Sequence, residues 1–520
     1  MKKKLSYIIL FIIVFILASL LSVYGYGVFA KQVKGEPSEV LPIDEQALTT
    51  LDKALRPLMA AHPDQSGLVM LQDNLDAFAV RAISAREAGR SLDLQYYIWH
   101  DDLTGKLLGQ ELLAAADRGV RVRLLLDDIT THNRSSMLSA LTRHPNISIR
   151  IFNPTRARDT GFRRGLELAL RVLSANRRMH NKAWIADNQV AIVGGRNIGD
   201  EYFDASPHMN FFDMDLLIGG KAVADASAIF DEYWNSDAVI PLSALVKAPA
   251  DALVKLRAEV AKKASEIEAL PYVQELRETP SVRALFQGQA PVYWTEQVRV
   301  VSDPVGKAKG EDRDRWLLGT LLSEWSQARQ DVKIISPYFV PSQVGVGMFE
   351  QLTSRQVAVS VLTNSLAATD VLAVHGGYAP YRLPLLAQGV KLFELKPFAE
   401  RPRKNLFGSS GASLHTKAFV VDHQVGFIGS FNFDPRSAIW NTEMGVIFTE
   451  PTIVELLEQE FAKLSSASAS YAVTAPEGKL RWQDAGEGKE AKEWDKEPES
   501  RWWQRWTATV ISWLPIESQL

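Results

Sequence analysis

One motif occurs twice in this chain of 520 residues, and the duplication is its strongest structural constraint. The first copy reads "MHNKAWIADNQVAIVGGRNI" from Met179, and the second reads "LHTKAFVVDHQVGFIGSFNF" from Leu414. Identical polar and glycine residues of the two copies are separated by one constant offset: His180, Lys182, Asp187, Gly194 and Asn197 correspond to His415, Lys417, Asp422, Gly429 and Asn432. A pattern repeated without slippage predicts a duplicated structural unit, and therefore two related halves.

The segments around each copy alternate between strand and helix patterns. "SLDLQYYIW", "GKLLGQELLAAADRG" and "VRVRLLLDD" read as strand, helix and strand in the first half, and "DVKIISPYFV", "VGMFEQLTSRQ" and "VAVSVLTN" repeat that order in the second. This alternation predicts an α/β fold of two pseudo-symmetric halves, each with a mostly parallel mixed sheet flanked by helices, preceded by a transmembrane helix. The predicted organisation is a membrane anchor or uncleaved signal (1–31), a linker (32–50), a first domain with the first motif (51–247), a helical linker (248–290), a second domain with the second motif (291–465) and a charged, tryptophan-rich C-terminal segment (466–520).

The N-terminal segment carries no charged residue between Leu5 and Ala30. About 20 apolar residues cross a bilayer as a helix, whereas the core of a signal peptide usually has about 7–15. A retained single-pass anchor is therefore favoured, and the alternative is a long signal peptide cleaved after Ala30. Three lysines at positions 2–4 precede the segment, which predicts a cytoplasmic N-terminus and, in a Gram-negative bacterium, a periplasmic catalytic part.

Composition excludes several classes of function. The chain has no cysteine, so thiol catalysis, thiolate metal sites and disulfides are ruled out. Its formal net charge of -3 argues against a protein that coats nucleic acid. The C-terminal stretch "RWWQRWTATVISWLPIESQL" combines arginine with tryptophan, which suits either a membrane interface or docking against the body of the protein.

The residue types of the motif suit a phosphodiester anion. A histidine and a lysine two positions apart in a strand point to the same face, so each copy presents an imidazole and an ammonium group together. Asn197 and Asn432 add neutral donors after the glycine-rich turn. Zinc is disfavoured because an adjacent ammonium group would repel it, and we predict neither a metal nor a cofactor.

Two imidazoles can share the chemistry of such a site. Near neutral pH one ring can be neutral and attack phosphorus, while the other is protonated and donates to the departing alkoxide. Each ring also needs a carboxylate on its other nitrogen to hold one tautomer. The candidates are Asp213, downstream of the first motif, and Glu443, downstream of the second, whereas Asp187 and Asp422 are interpreted as bracing the motifs from within.

The paired motifs resemble the HKD signature of the phospholipase D superfamily. "GGRNIGDEYF" and "GSFNFDPRSAIWNTEMGVI" are similar to segments of bacterial cardiolipin synthases, and "NSLAATDVLAVHGGYAPYR" with the closing "WLPIE" resembles their C-type branch. The resemblance implies a phospholipase D-like fold and transfer of a phosphatidyl group from phosphatidylglycerol or phosphatidylethanolamine to phosphatidylglycerol in the bacterial inner membrane. It also implies that His180 is the nucleophile and His415 the acid and base. The apolar anchor and the net charge, in turn, predict no nucleic-acid partner.

A second set of residues is predicted to bind substrate. Gly195 stands where many superfamily members have the serine seen here as Ser430, and cardiolipin synthases often share this glycine. Tyr97 and Tyr338 occupy matching strand ends and are predicted to line the cleft, with core packing as the alternative. His375 lies in the segment that resembles the C-type branch and is predicted to help select the acceptor.

Basic clusters accompany both motifs. Seven arginines and two acids lie between Arg156 and Arg178, and "RPRK" (401–404) precedes the second motif. Such clusters attract anionic headgroups, with a solvated loop as the alternative. Three other functions remain open: a hydrolytic phospholipase D, a nucleic-acid phosphodiesterase, and a non-catalytic scaffold, although neither motif has lost its histidine or lysine.

Overall fold

The structure is a computed structural model that describes residues 2–131, 136–158, 161–268, 271–281, 284, 289–397, 411–485 and 492–520. The strands are β1 (Ser66–Leu71), β2 (Ser91–Tyr96), β3 (Arg121–Asp127), β4 (Ile147–Phe152), β5 (Ala183–Ala186), β6 (Val190–Gly194), β7 (Met209–Phe212), β8 (Asp215–Gly220), β9 (Val239–Pro241), β10 (Tyr293–Thr295), β11 (Val298–Ser302), β12 (Asp331–Ile335), β13 (Ala358–Asn364), β14 (Lys391–Leu395), β15 (Gly411–Leu414), β16 (Ala418–Val421), β17 (Val425–Gly429), β18 (Met444–Phe448), β19 (Ser470–Thr474), β20 (Arg481–Asp484) and β21 (Lys492–Trp494).

The helices lie between these strands and at both ends of the chain. They are α1 (Lys2–Gln32), α2 (Thr50–Ala61), α3 (Asn74–Glu87), α4 (Leu103–Asp117), α5 (Asp128–Thr131), α6 (Ser136–Leu141), α7 (Phe162–Leu170), α8 (Val172–Ala175), α9 (Val223–Trp234), α10 (Leu242–Leu245), α11 (Ala252–Glu268), α12 (Pro271–Glu278), α13 (Leu317–Ser326), α14 (Ser342–Ser354), α15 (Leu372–Tyr378), α16 (Arg382–Ala387), α17 (Pro451–Leu464) and α18 (Trp502–Ser512). Short 3-10 turns occur at Asp200–Tyr202, Val305–Lys309, Arg313–Arg315, Ala379–Tyr381, Pro476–Gly478 and Glu517–Gln519, and a π turn at Arg436–Trp440.

Each half is built around one mixed sheet, which confirms the predicted two-half α/β fold. The first sheet has the order β10-β1-β8-β6-β5-β2-β3-β4-β9, and the second has the order β11-β18-β17-β16-β12-β13-β14-β19-β20-β21. Helices flank both sheets, and the same central arrangement recurs: three strands joined by helical crossovers next to three strands that include the motif hairpin.

The prediction that these sheets are mostly parallel is corrected by the structure. Parallel pairing is confined to β2, β3 and β4 in the first sheet and to β12, β13 and β14 in the second, where helices make the crossovers. The motif strands pair antiparallel, β5 with β6 and β16 with β17, because a tight turn joins each pair. Only the crossover regions carry the strand–helix–strand pattern that is typical of parallel pairing.

Two of the predicted domain limits also differ from the pairing of the strands. β10 lies beyond position 291 yet pairs with β1, so it completes the first sheet. β19 pairs with β14 and continues into β20 and β21, so part of the C-terminal segment extends the second sheet. These strands have only three to five residues, and so they are too short to show the periodicity that marks a strand in a sequence.

The two halves share one hydrophobic core. A single cluster of buried side chains joins Ile185 and Leu216 of the first half to Val420 and Val446 of the second. Burial of each such side chain contributes roughly 1.5–3 kcal/mol. Across the same boundary β15 pairs in parallel with β7, and this two-stranded ribbon ends directly before the second motif. The boundary between the halves is therefore where the two motifs meet.

The two ends of the chain add apolar surface. Within α1, Ser6–Gln32 has a mean hydropathy of 2.8 with none of its most apolar window buried, which makes it long and apolar enough to cross a membrane. At the other end, α18 packs on α15, where an added Cβ at Gly376 would lie 2.8 Å from Ile511. The opposite side of α18 exposes Trp502 and Trp506. The C-terminal helix thus docks on the body and still presents tryptophan to its surroundings.

Candidate active site

Each motif is held by a tight turn in which an aspartate accepts three backbone N–H groups. Asp187 and the next residue have φ values of 53° and 56°, and Asp422 and the next residue have 51° and 58°. The Asp187 carboxylate accepts hydrogen bonds from the N–H groups of residues 89, 90 and 91 at 2.7–2.9 Å. The Asp422 carboxylate accepts them from residues 329, 330 and 331 at 2.7–3.0 Å. Both carboxylates therefore tie the motif hairpin to the start of the neighbouring strand.

Replacing Asp187 with alanine is expected to destabilise the first half without altering the chemistry of the histidines. Three backbone donors lose their acceptor, and together they cost about 3 kcal/mol or more in the free energy of unfolding. Equilibrium unfolding of the full chain in detergent measures this cost. Asp225→Ala, at an exposed position in α9, is the control and should change stability by less than about 1 kcal/mol. Equal effects of the two variants would contradict the bracing role.

The histidines exchange their carboxylate partners between the halves. His180 Nδ1 lies 2.8 Å from Glu443 Oε2, and His415 Nδ1 lies 2.6 Å from Asp213 Oδ2. The carboxylate partner of each histidine thus comes from the other half. Glu443 follows His415 in the sequence but contacts His180, and Asp213 follows His180 but contacts His415. Two backbone contacts hold this exchange: His180 N–H donates to the Thr442 carbonyl at 2.8 Å, and His415 N–H donates to the Phe212 carbonyl at 2.7 Å.

These contacts define the tautomer of His180. Its Nδ1 faces two acceptors, the Glu443 carboxylate and the Ser430 carbonyl at 3.1 Å, so Nδ1 carries the proton. Nε2 then keeps its lone pair and is the nitrogen that can act on a substrate. His415 Nδ1 likewise contacts a carboxylate, that of Asp213, and both imidazoles are buried.

The lysine ammonium groups contact the backbone carbonyls of the histidines in their own motifs. Lys182 Nζ donates to the His180 carbonyl at 2.6 Å, and Lys417 Nζ donates to the His415 carbonyl while lying 2.9 Å from His415 Nδ1. Both side chains are buried. Burial lowers the pKa of Lys182 to about 7 and that of Lys417 to about 8, although nearby carboxylates oppose the shift.

Burial also favours the uncharged forms of the histidines and of their carboxylate partners. It lowers the pKa of both histidines well below the usual value, and the two lysines add to the shift. It raises the pKa of Glu443 to about 7 and raises that of Asp213. His180 itself contributes to the lowering at His415, so the two rings share one electrostatic environment. A bound phosphodiester anion would reverse the loss of positive charge, because it favours the protonated imidazole and ammonium groups.

Aromatic rings surround the two imidazoles. Tyr97 packs edge-on against His180 with ring centroids 4.8 Å apart, and Tyr338 lies edge-on to His415 at 6.5 Å. Tyr202 and Phe211 also contact His415, at 5.1 and 4.9 Å. The two tyrosines predicted at matching strand ends are thus beside matching histidines.

Gly195 and Ser430 contact the carboxylates. An added Cβ at Gly195 would lie 2.2 Å from Asp213 Oδ1, so only glycine leaves room for that carboxylate. In the other half Ser430 Oγ donates to Glu443 Oε2 at 2.5 Å. Gly195 therefore lies against the shorter acid, Asp213, and Ser430 lies against the longer acid, Glu443. These contacts give both residues a role in holding the acids, where we had predicted substrate binding.

The side chains of the two asparagines differ in their partners. Asn197 accepts a hydrogen bond from the N–H of Ile98 and donates to the Tyr202 hydroxyl at 2.9 Å. Asn432 is buried and its backbone N–H donates to Ser437 Oγ at 3.3 Å, whereas its side-chain Oδ1 has no hydrogen-bond partner in the described part of the chain. Asn197 thus positions an aromatic wall of the site through Tyr202.

His375 lies in a buried ionic cluster. Its Nε2 is 3.1 Å from Glu497, and Arg382 contacts both groups. His375 is 3% exposed, and Tyr378 packs edge-on against it. The cluster fastens the C-terminal segment to α15. Its contacts favour a structural role over the predicted selection of the acceptor.

Sequence reasoning missed three residues near the histidines. Asp370 accepts a hydrogen bond from the Tyr338 hydroxyl at 2.7 Å, and its charge acts on Lys417. Tyr202 contacts His415, and Arg436 is among the cations that lower the pKa of His180. All three occur within segments quoted for the family resemblance, but no spacing rule singled them out.

The "RPRK" cluster (401–404) lies outside the described residues. Within the described part of the chain, two groups of histidine and acid place possible metal-ligand atoms within 4.8 Å of one another: His100, Asp102 and Glu201, and Asp331, His423 and Glu458. Neither group includes His180 or His415.

The fold and the site define a class of enzyme in which two related halves each supply one histidine–lysine motif to a shared phosphodiester centre. Residues 83–234 and 321–465 match the family described as "Cardiolipin synthase, PLD-like domain". The chain is 39% identical over 472 residues to cardiolipin synthase C of Escherichia coli (strain K12), an alignment that covers 90% of this chain and 99% of that protein. This chain therefore belongs to the cardiolipin synthase family with phospholipase D-like domains, which confirms the resemblance predicted from the motifs.

More distant relatives agree with this assignment. Cardiolipin synthase A of Pseudomonas entomophila (strain L48) is 26% identical over 429 residues, which cover 80% of this chain and 74% of that protein. The crystal structure of phosphatidylserine synthase from Haemophilus influenzae Rd KW20 aligns with a TM-score of 0.53 and 12% identity. It covers 83% of this chain and 92% of that one, and at this identity it supports the fold alone.

Proposed function

We propose that this protein is a membrane-anchored cardiolipin synthase that transfers a phosphatidyl group to phosphatidylglycerol. The donor is phosphatidylglycerol or phosphatidylethanolamine, and the second product is glycerol or ethanolamine. The exchange of acids between the halves carries the proposal, because it brings the two imidazoles to one centre with the Nδ1 of each held by a carboxylate of the other half. Family membership and the alignment over most of cardiolipin synthase C support the choice of reaction.

The first half-reaction forms a phosphohistidine. His180 Nε2 attacks phosphorus, and the bond from phosphorus to the headgroup oxygen breaks. The protonated His415 donates its proton to that oxygen, so glycerol or ethanolamine leaves as an alcohol and not as an alkoxide. Glu443 stabilises the cationic ring of His180 as the new N–P bond forms.

The second half-reaction releases the enzyme. His415, now neutral, removes the proton from the primary hydroxyl of phosphatidylglycerol, whose oxygen attacks phosphorus while the N–P bond breaks. Lys182 and Lys417 offset the charge on the non-bridging oxygens, a task that magnesium performs in many phosphoryl-transfer enzymes. Water in place of the lipid hydroxyl would yield phosphatidic acid, so the fate of the intermediate depends on exclusion of water.

In the proposed location the catalytic part lies on the periplasmic side of the inner membrane. We infer a single-pass anchor in the bacterial inner membrane with the catalytic part in the periplasm, because three lysines precede the apolar helix. The negative net charge and the membrane helix favour phospholipid over nucleic acid as substrate.

Purified full-length protein in vesicles of labelled phosphatidylglycerol is expected to form cardiolipin, and added phosphatidylethanolamine is expected to increase the yield. Separation of the labelled lipids measures both products. Phosphatidic acid without cardiolipin would replace the synthase with a hydrolytic phospholipase D. Turnover should survive a chelator, since lysines hold the phosphate charge, and a loss restored by zinc would contradict the mechanism.

A further inference from the structure

A cavity of about 1060 Å³ lies where the membrane helix meets the first domain. One wall is apolar and consists of Leu21 and Phe29 of α1 together with Leu166 and Leu170 of α7. The other wall is cationic and consists of Arg156, Arg158, Arg163 and Lys247. This combination of walls matches the two parts of a phospholipid, acyl chains and a phosphodiester anion.

The cationic wall has N–H groups that could donate hydrogen bonds to an anion. Arg158 is 8% exposed and pairs with Asp128 through Nη1, while its Nε and Nη2 have no hydrogen-bond partner in the described part of the chain. A buried guanidinium with unpaired N–H groups is costly unless an acceptor reaches it. The acid on this wall, Glu167, already pairs with Arg171 and accepts the Arg156 N–H.

The cavity lies beside the C-terminal half of α1. Ser19 Oγ donates to the Leu170 carbonyl at 2.5 Å, and the Arg171 guanidinium lies 3.4 Å from the centre of the Tyr26 ring, so α7 runs along this half of α1. The apolar segment Leu5–Ala30 is about 39 Å long as a helix and the hydrocarbon layer is about 30 Å thick, so we infer that Tyr26 and Phe29 lie near the lipid headgroups. Phe162, on α7, is 84% exposed and would insert among the acyl chains.

The cavity also connects to the catalytic centre through charged residues. Arg158 pairs with Asp128, and the neighbouring Asp127 accepts the N–H of Met179, directly before His180. Arg178 lies 3.5 Å from Asp127. Paired charges, Arg158 with Asp128 and Arg178 with Asp127, therefore connect the cavity to the first motif.

We propose that this cavity is a second phospholipid site, which holds a lipid with a net negative headgroup beside the membrane helix and supplies it to the active site. Its role as a substrate supply rests on the proposed function. Even with Arg158 paired to Asp128, Arg156, Arg163 and Lys247 leave the lining with a positive charge that favours an anionic headgroup over a zwitterionic one. The acyl chains lie along Leu21 and Leu166, and the phosphate lies against Arg156, Arg158 and Arg163.

Photo-labelling of the full chain tests the site. The probe is phosphatidylglycerol with a diazirine in its acyl chain, diluted in phosphatidylcholine vesicles, and the labelled residues are mapped by mass spectrometry. Labelling of Leu166 and Leu170 is expected, with competition by unlabelled phosphatidylglycerol but not by added phosphatidylcholine. Tyr7 and Phe11, in the exposed first half of α1, report labelling by bulk lipid and should show no such selectivity.

The double variant Arg156→Gln/Arg163→Gln is expected to raise the mole fraction of phosphatidylglycerol needed for half-maximal labelling roughly 30-fold. The control Lys221→Gln/Lys255→Gln removes the same charge from side chains that are 71% and 74% exposed, and it should label as the wild type does. Labelling that follows bulk composition, or equal behaviour of the two double variants, would overturn the site. Competition by free glycerol phosphate would overturn the lipid and leave a phosphate site.

The same experiment separates the site from the reaction. His180→Ala should be labelled as strongly as the wild type, because the cavity does not include that ring. Selective labelling by a wild-type protein that forms no cardiolipin would reject the proposed function and the supply role together. Formation of cardiolipin without selective labelling would reject the second site alone.

Discussion

Alanine in place of His180 or His415 is expected to reduce cardiolipin formation by roughly 10⁴-fold or more. Without His180 no phosphohistidine forms, and without His415 the leaving alkoxide receives no proton. The measurement is the initial rate of labelled cardiolipin in vesicles. His423→Ala is the control, because this histidine follows Asp422 in the second motif turn and its side chain is 53% exposed.

The same variants assign the two roles. Wild-type protein quenched during turnover should carry a phosphatidyl group on His180, which mass spectrometry of the quenched protein can detect. An adduct on His415 would invert the assignment, and full turnover in either variant would reject the two-histidine mechanism. Far-UV circular dichroism of each variant checks that loss of activity is not loss of fold.

The second large effect on catalysis is expected from replacing the exchanged acids, Glu443 and Asp213. Glu443→Gln and Asp213→Asn are each expected to lower kcat by about 10²–10⁴-fold, because an amide can stabilise neither the tautomer nor the cationic ring. Glu455→Gln, at an exposed position of α17, should leave kcat unchanged. Under the proposed mechanism the two losses differ in kind, because Glu443 would serve the nucleophile His180 and Asp213 would serve the acid His415.

A phosphatidyl ester of p-nitrophenol distinguishes these losses. Nitrophenolate leaves without a proton, so this substrate should restore the first burst of product in Asp213→Asn and His415→Ala. It should not restore the burst in Glu443→Gln or His180→Ala. If each acid instead served the histidine of its own half, the rescue pattern of the two acid variants would be reversed.

Much of the fold could be predicted from the duplication and from local patterns. The two motifs, the membrane helix and the alternation of strands and helices all depend on residues close together in the chain. The pairing of β10 with β1 could not be predicted in this way, because a short strand without apolar alternation carries no record of its distant partner. The parallel character of the sheets was overestimated for a related reason, since the motif hairpins contribute antiparallel strands.

In the candidate site, too, the sequence predicted the residue types, whereas their contacts depend on the tertiary structure. Asp213 and Glu443 were recognised as acids from their types and positions, but their partners were decided by the packing of one half on the other. His375 resembled a family segment, and only the folding back of the C-terminal segment placed it against Glu497. Gly195 was noticed as a departure, and its reason appears only when the Asp213 carboxylate is seen to fill the space of a Cβ.

The amino-acid sequence by itself determined the chemical groups available to this protein: two histidines, two lysines, two acids and an apolar helix. Tertiary structure alone decided that each imidazole meets the acid of the other half, and that burial shifts the pKa values of the whole group. The physical reason is that chain order controls local periodicity and residue type. Distances through space and the exclusion of water arise only when two separate surfaces pack against each other.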